Sequence, residues 1–232
     1  MKKLMLAVVV VLASAAVFAQ TRRSRGVRTV EAEEAPTTGR EAKVVIDQFP
    51  KCGRASTLAA PGLQGGSIIG SCYNKPRRWI VLEAKYSTYA KWQDQLTFTW
   101  HVLLETKSAT ENKGNREGLA PYSYFTTSVS YQNIPQGSHA ASVCLHPSYL
   151  ERYGEAKAIG LVITNAKGET LAGDCVSEIK GIVSHKMFWD NQEIMNAQSN
   201  GEPMIERRQG LLDRSKTIWA LVNPNDYEAV VQ

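Results

Sequence analysis

The chain contains four cysteines, at positions 52, 72, 144 and 175, and they are the residues best placed for covalent chemistry. An even number of cysteines in an exported protein predicts two disulfide bonds, for which three pairings exist. We favour Cys52–Cys72 and Cys144–Cys175, because each joins nearest neighbours along the chain. Closing loops of about 20–30 residues would stabilise the fold by roughly 3 kcal/mol each. The close-spaced pairs typical of zinc sites are absent, so no metal is predicted.

No arrangement of residues predicts catalysis. The sequence lacks Gly-x-Ser-x-Gly and His-Glu-x-x-His, and its four histidines are His101, His139, His146 and His185. Glu83 and Glu105 lie on neighbouring predicted strands and are the one carboxylate pair that could face across a sugar. Outward charges on strands are usually only solvated, so we expect no catalytic residue and no cofactor. An enzyme of unknown class remains as an alternative.

Tyr89 and Trp92 form the candidate binding surface, because they fall in a polar connection and not in an apolar strand. Exposed aromatic side chains on a β surface stack on sugar rings or anchor protein partners. The alternative is that both pack in the core, and the sequence favours neither reading.

The elements that would carry these residues alternate between apolar and polar positions. Ile80, Leu82, Ala84 and Tyr86 alternate in one run, and a second run continues the alternation at Leu96, Phe98, Trp100, Val102 and Leu104. Residues of this spacing share one face of a strand. We predict an antiparallel hairpin in which 87–95 is the loop. Two such strands need a second sheet to cover their apolar face.

The rest of the chain supplies further short strands separated by turn residues. Predicted strands include 122–131, 139–145, 158–163, 169–175 and 215–222, with a turn at 133–137, a helical turn at 148–153 and one short helix at 187–197. Seven to nine strands in one domain over 44–232 predict an all-β, two-sheet antiparallel sandwich of immunoglobulin-like architecture. A β-barrel or jelly roll is the alternative.

The N-terminus predicts export. Lys2 and Lys3 precede an apolar run at 4–12, and Val17 and Ala19 occupy the small-residue positions of a cleavage site, so we predict a signal peptide at 1–19. The run is too short for a transmembrane anchor. Residues 20–43 contain too few hydrophobic side chains to fold and are predicted to be a disordered tail.

These features constrain location and partners. Removing Lys2 and Lys3 lowers the formal net charge from +5 to +3. This charge is too small to indicate nucleic acid or another polyanion as a binding partner. We expect a mature chain without a transmembrane segment, in the periplasm, on the outer membrane surface or outside the cell.

Four stretches resemble a known group when they are taken together: Trp79–Glu83, Trp92–Phe98, Asn133–Gly137 and Leu150–Gly154. The group consists of exported proteins of verrucomicrobial and planctomycete bacteria, some of them associated with gene clusters for type IV pilus-like machinery. The resemblance spans about 44–223. It implies an immunoglobulin-like sandwich similar to archaeal pilus-type subunits and a role in the envelope or a pilus, and it carries over no catalytic residues.

The expected function is therefore that of a non-enzymatic envelope protein that binds pilus or secretion proteins through a strand edge or the hairpin surface. The chain lacks a prepilin-type leader, so an accessory component is expected and not a pilin. A β-sandwich module that binds glycans, such as those of mucin, through Tyr89 and Trp92 is the alternative.

Overall fold

The computed structural model describes residues 43–53, 56–59, 78–106, 119–220 and 229–230. These residues all belong to one compact unit, Thr37–Gln232. The predicted signal peptide, and the predicted tail apart from Lys43, lie outside the described residues. The strands of the described part are β1 (Val44–Gln48), β2 (Ser56–Ala59), β3 (Arg78–Glu105), β4 (Tyr122–Leu145), β5 (Glu155–Asn165), β6 (Thr170–Ser177), β7 (Gln198–Ser199), β8 (Glu202–Pro203), β9 (Ile205–Arg208), β10 (Leu211–Asp213) and β11 (Ala229–Val230).

Strands β3 and β4 form one long antiparallel hairpin. Their pairing runs from Ile80 opposite Leu145 to Glu105 opposite Tyr122, with one register shift between Thr88 and Trp92. The prediction that 87–95 is a hairpin loop is therefore wrong. The chain does not reverse there because β4 continues to pair with it, and the two predicted strands are halves of one.

This hairpin is folded over on itself. The rings of Tyr86 and Phe98 lie 4.8 Å apart, although an extended strand would separate these two positions by roughly 40 Å. The strand must therefore bend back between them, at the register shift. Strand β4 bends at the matching place, where Asn133 and Gly137 have φ values of 55° and 144°. The turn predicted at 133–137 is this bend within a continuous strand.

The fold-over produces the two layers of a sandwich. The first layer contains the 78–88 half of β3 and the 137–145 half of β4, with β1 and β2 beside β3 and β10 beside β4. The second contains the other halves, with β5, β6, β11 and the parallel strand β9. Large buried side chains from both layers fill the space between them, among them Leu82, Tyr86, Leu96, Phe98, Trp100, Phe125, Ile159 and Leu161. The prediction of an all-β sandwich is confirmed.

A further segment, residues 178–204, covers the outer face of the second layer and is called the cap below. It contains a 3-10 turn (Phe188–Asp190), helix α2 (Gln192–Met195) and the β7–β8 pair. The single helix predicted at 187–197 is thus divided. Asn191 separates its two parts because its side-chain oxygen accepts hydrogen bonds from the backbone N–H groups of Glu193 and Ile194 and starts a new helix.

Two other local predictions have different outcomes. Helix α1 (Pro147–Tyr153) occupies the predicted helical turn at 148–153. The strand predicted at 215–222 is wrong over its described part, 215–220, since a 3-10 turn at Arg214–Lys216 follows β10 directly. Asp213 caps this turn by accepting from the backbone N–H of Ser215.

The predicted Cys144–Cys175 disulfide is not formed, and the predicted Cys52–Cys72 pair falls partly outside the described residues. Cys52, Cys144 and Cys175 are buried free thiols, and Cys72 lies outside the described residues. Cys144 alternates with the core residues Val143 and Leu145, so it faces outward from the first layer. Cys175 lies beneath the cap, on the outer face of the second layer. The core therefore separates Cys144 from Cys175, although no other cysteine lies between them in the sequence.

Truncating Phe98 to Ala should remove the ring that holds the two halves of β3 together. Because Phe98 is fully buried, we expect the free energy of unfolding to fall by about 3–5 kcal/mol. Chemical denaturation measures this loss. The half-exposed Leu58 is the control. Leu58→Ala should lower the free energy of unfolding by well under that amount. Equal losses for the two variants would contradict the central role given to Phe98.

Candidate interaction surface

Among the described residues, surfaces suited to binding are easier to identify than groups suited to catalysis. Glu83 pairs with Ser142 in the first layer, whereas Glu105 lies at the far end of the second and accepts a 3.4 Å hydrogen bond from the Tyr122 hydroxyl. These two carboxylates do not face each other. Burial raises the pKa of the Cys52, Cys144 and Cys175 thiols to about 11, so each is protonated at neutral pH. Within the described ranges, no group of three or more His, Cys, Asp or Glu side chains is placed to hold a metal ion.

Tyr89 and Trp92 lie at the bend of β3, and both are exposed. Tyr89 exposes 49% of its surface and Trp92 exposes 58%. Aromatic side chains of this size are usually more deeply buried. The core-packing alternative is therefore wrong for both residues, and the structure places both at the bend of β3.

The backbone beneath this pair is held by buried hydrogen bonds. The Thr88 hydroxyl donates to the carbonyl of Pro135 over 2.8 Å. The Nε2 atom of His139 lies 2.8 Å from the same carbonyl and 3.3 Å from the Thr88 hydroxyl. These contacts tie the bend of β3 to that of β4. Tyr89 and Trp92 are thus presented on a fixed frame, which lowers the entropic cost of binding.

Charged side chains surround the aromatic pair. The ammonium group of Lys43 lies 5.8 Å from the centre of the Tyr89 ring, and the backbone N–H of Tyr89 donates to the carbonyl of Lys43 over 3.3 Å. Lys91 and Asp94 are exposed beside them. The surface combines apolar area with charge, as is typical of protein interfaces.

On the outer face of the second layer, the cap buries a second apolar cluster. The Trp189 ring stacks on His101 at a centroid distance of 4.1 Å and an angle of 4°. It also lies directly on Gly160, where an added Cβ would be 1.9 Å from Trp189 Cζ3. Leu103, Tyr124, Ala158, Cys175, Phe188 and Met195 complete the cluster. Gly160 is therefore the position that allows the cap to approach the sheet.

His101 lies on the outer face of its strand, as the alternation predicts, yet the cap buries it. Its Nδ1 atom is 2.6 Å from the Tyr124 hydroxyl. Loss of hydration on burial lowers the pKa of His101 to about 4. The imidazole is therefore neutral near pH 7, which suits stacking against an indole within an apolar cluster.

Two adjoining pockets, of about 430 and 310 Å³, form an apolar groove in the cap. Both are lined by Gly181, Ile182 and Ile194. Val183 and Met187, at its mouth, expose 59% and 38% of their surfaces. Sequence reasoning missed this groove because its walls come from β3, β4 and the cap, which are distant along the chain. The apolar residues at 179, 182 and 183 were a signal, but they predict no site by themselves.

The outer edge of β6 is closed to a further strand. The backbone N–H of His185 donates to the carbonyl of Cys175 over 2.8 Å, and the Ser184 hydroxyl accepts from the N–H of Ser177 over 3.1 Å. Met187 lies over Gly173, and the register with β5 shifts between Ile163 and Thr164. Bulges and covering segments protect edges from pairing with another chain. This edge is therefore unsuited to strand addition.

Replacing Gly160 with Ala should push Trp189 away from the sheet. The added methyl group cannot fit beneath the indole without a shift of the cap, so we expect a loss of about 1–3 kcal/mol in the free energy of unfolding. Trp189 fluorescence should report a more solvated indole. Gly168→Ala is the control for a glycine whose added Cβ meets nothing within 4 Å. Because Gly168 has a φ of 80°, a loss of stability there should come without a change at Trp189.

The buried neutral His101 should make stability depend on pH. Its folded-state pKa of about 4 lies below the unfolded value of 6.5, so between these values the unfolded chain binds a proton that the folded chain does not. The free energy of unfolding should fall by roughly 3 kcal/mol from pH 7 to pH 4 through this group. His101→Phe should remove that contribution from the pH profile. Identical profiles for the variant and the natural chain would contradict the assignment.

Within the described part of the chain, no helix is both long and apolar enough to cross a membrane. A comparison with curated proteins finds no match.

Among solved structures, the chain is similar to the crystal structure of a protein from Akkermansia muciniphila, with a TM-score of 0.54 and 18% identity. The alignment covers 82% of this chain and 94% of that chain. At this identity the likeness shows the fold alone. The organism is a verrucomicrobe, and verrucomicrobial bacteria are one of the groups to which the sequence resemblance points. A protein-family model matches residues 54–230, which is more than half of the chain. The chain therefore belongs to the family that this model describes.

Proposed function

We propose that this protein is a non-enzymatic, exported accessory component of a pilus-like or secretion assembly, and that it binds a protein of that assembly through Tyr89 and Trp92. Its family is one of exported, pilus-associated proteins, which supports an extracellular or pilus-related role. The observation that carries the proposal is Trp92, whose indole is 58% exposed on a bend that buried hydrogen bonds hold. Tryptophan and tyrosine are the residues most often found at binding hot spots.

The shape of the fold favours this surface over a strand edge. The cap closes the outer edge of β6 through His185 and Ser184. On the other side of the same layer, β9 and β11 already pair with β4. The bend, by contrast, offers exposed apolar area with lysines beside it. A partner that presents a shallow apolar patch with acidic residues at its rim would match this surface.

A glycan is the second candidate ligand, because the same two aromatic rings could stack on sugar rings. The proximity of Lys43 to Tyr89 favours an acidic glycan over a neutral one. The protein-binding and glycan-binding functions would use the same surface and differ only in the ligand.

Replacing Tyr89 and Trp92 together with Ala should abolish capture of the partner. Truncating two central aromatic anchors typically costs more than 2 kcal/mol each, so we expect affinity to fall at least 100-fold. Cross-linking in the native envelope, followed by purification of this protein and identification of what accompanies it, gives the measurement. The control is Ile218→Ala, which removes an apolar side chain that is 51% exposed outside this surface.

Unchanged recovery of envelope proteins by the Tyr89→Ala/Trp92→Ala variant would overturn the proposed surface. If the natural chain captures no protein but binds mucin-type glycans, and the double variant does not, the glycan function replaces the protein-binding one.

A further inference from the structure

We propose that the groove of the cap binds the Tyr89–Trp92 surface of a second copy of this chain, so that copies associate head to tail. This inference rests on the proposed function, since it takes Tyr89 and Trp92 to be an interaction surface, and it names the partner. Its basis is that one chain carries both exposed aromatic side chains, at the bend of the hairpin, and an apolar groove in the cap, whose smaller part is also lined by residues near the open end of the hairpin.

The two features cannot meet within one copy. Trp92 lies at the bend of β3, whereas Leu103, which lines the groove, is eleven residues further along the same strand. An extended strand of that length spans roughly 36 Å. Tyr122, which also lines the groove, lies at the open end of the hairpin opposite Glu105. A contact between these two ends must therefore join different molecules.

The groove has the size and chemistry to hold an indole. Its larger part has a volume of about 430 Å³, within the range of pockets that hold sizeable ligands. The wall there includes Ile182, Val183, Met187, Phe188 and Ile194. Burying Trp92 in such a pocket would remove an apolar surface of the size that dominates interface energies. Met187 adds a flexible thioether that adapts to aromatic rings.

Charged side chains of both signs lie beside the aromatic residues and along the groove. Lys43 and Lys91 lie beside the aromatic pair, and Asp190 and Glu193 line the groove. Neither acidic side chain takes part in an ion pair with any residue that the structure describes. Lys180 and Lys186 also line the groove, and Asp94 stands beside the aromatic pair. Each end thus presents both signs of charge, and an approach that pairs them would fix the orientation of the copies.

A contact between two different surfaces is heterologous and leaves one free surface of each kind at the ends of the complex. Such contacts build rings when the rotation closes and open filaments when it does not. An isologous dimer, in which one patch pairs with itself, would stop at two copies. The number of copies that associate therefore tests the geometry directly.

The experiment measures the mass of the purified mature chain by sedimentation velocity, from micromolar to near-millimolar concentration. We expect the average mass to rise with concentration beyond that of a dimer. Trp92→Ala removes the projection, and Val183→Glu places a charge in the groove at a position that is 59% exposed. Each variant alone should associate at least tenfold more weakly. Ile218→Glu, at an apolar position that is 51% exposed and does not line either pocket, should behave as the natural chain does.

Mixing the two variants makes the test specific. The Trp92→Ala chain keeps its groove and the Val183→Glu chain keeps its projection, so their mixture should form one-to-one dimers and nothing larger. Failure of the mixture to pair would overturn the inference. Melting curves establish that both variants are folded, and Met187→Glu replaces Val183→Glu if the latter melts early.

The proposed function and this inference can fail separately. A natural chain that stays monomeric at every concentration, while Tyr89 and Trp92 remain necessary for capture of an envelope protein, overturns the head-to-tail contact and leaves the proposed function standing. Association that needs the groove but not Trp92 also overturns the contact. Association that needs both, without capture of any other protein, overturns the accessory role instead.

Discussion

The contact between the tilted rings of Tyr86 and Phe98 is the one on which the rest of this structure depends. It brings together two halves of one strand that a straight β3 would hold far apart. A long two-stranded hairpin has an apolar face that it cannot bury alone. By folding over, the hairpin covers that face with its other half, and the remaining strands only extend the two layers. The core is thus built by a single supersecondary unit.

The fold-over leaves a second apolar face on the outside, and the cap covers it. Leu103 and Ala158 point away from the main core and would otherwise meet water. Trp189 seals this face because Gly160 has no side chain to obstruct it. The cap has little regular structure, so its hold on the sheet comes from such close contacts and from the hydrogen bonds of Ser184 and His185 to β6.

These two constraints place the exposed apolar groups at two separate sites, the bend of the hairpin and the cap. The bend cannot bury Tyr89 and Trp92, because at the fold of the hairpin no second layer faces them. The cap in turn leaves a groove where its short elements do not fill the space between Ile182 and Ile194. The outer edge of β6, which would otherwise invite strand addition, is covered in the same structure. The exposed side chains at the bend and in the cap therefore offer apolar area for binding, whereas the covered β6 edge does not offer backbone pairing.

The alternation of apolar residues from Ile80 to Leu104 by itself determined that the protein is all-β, since period-two patterning has only one structural meaning. The polar stretch between its two apolar runs also singled out Tyr89 and Trp92 as aromatic residues outside that alternation's apolar runs. Local sequence could not show that 87–95 is a bend and not a loop, because the difference depends on whether a distant strand pairs across it. Local sequence also favoured a Cys144–Cys175 disulfide that the structure does not form, since cysteines that follow one another along the chain can face opposite sides of a core. Only the tertiary structure assembled the groove, because its walls come from residues that nothing but the folding of the chain brings together.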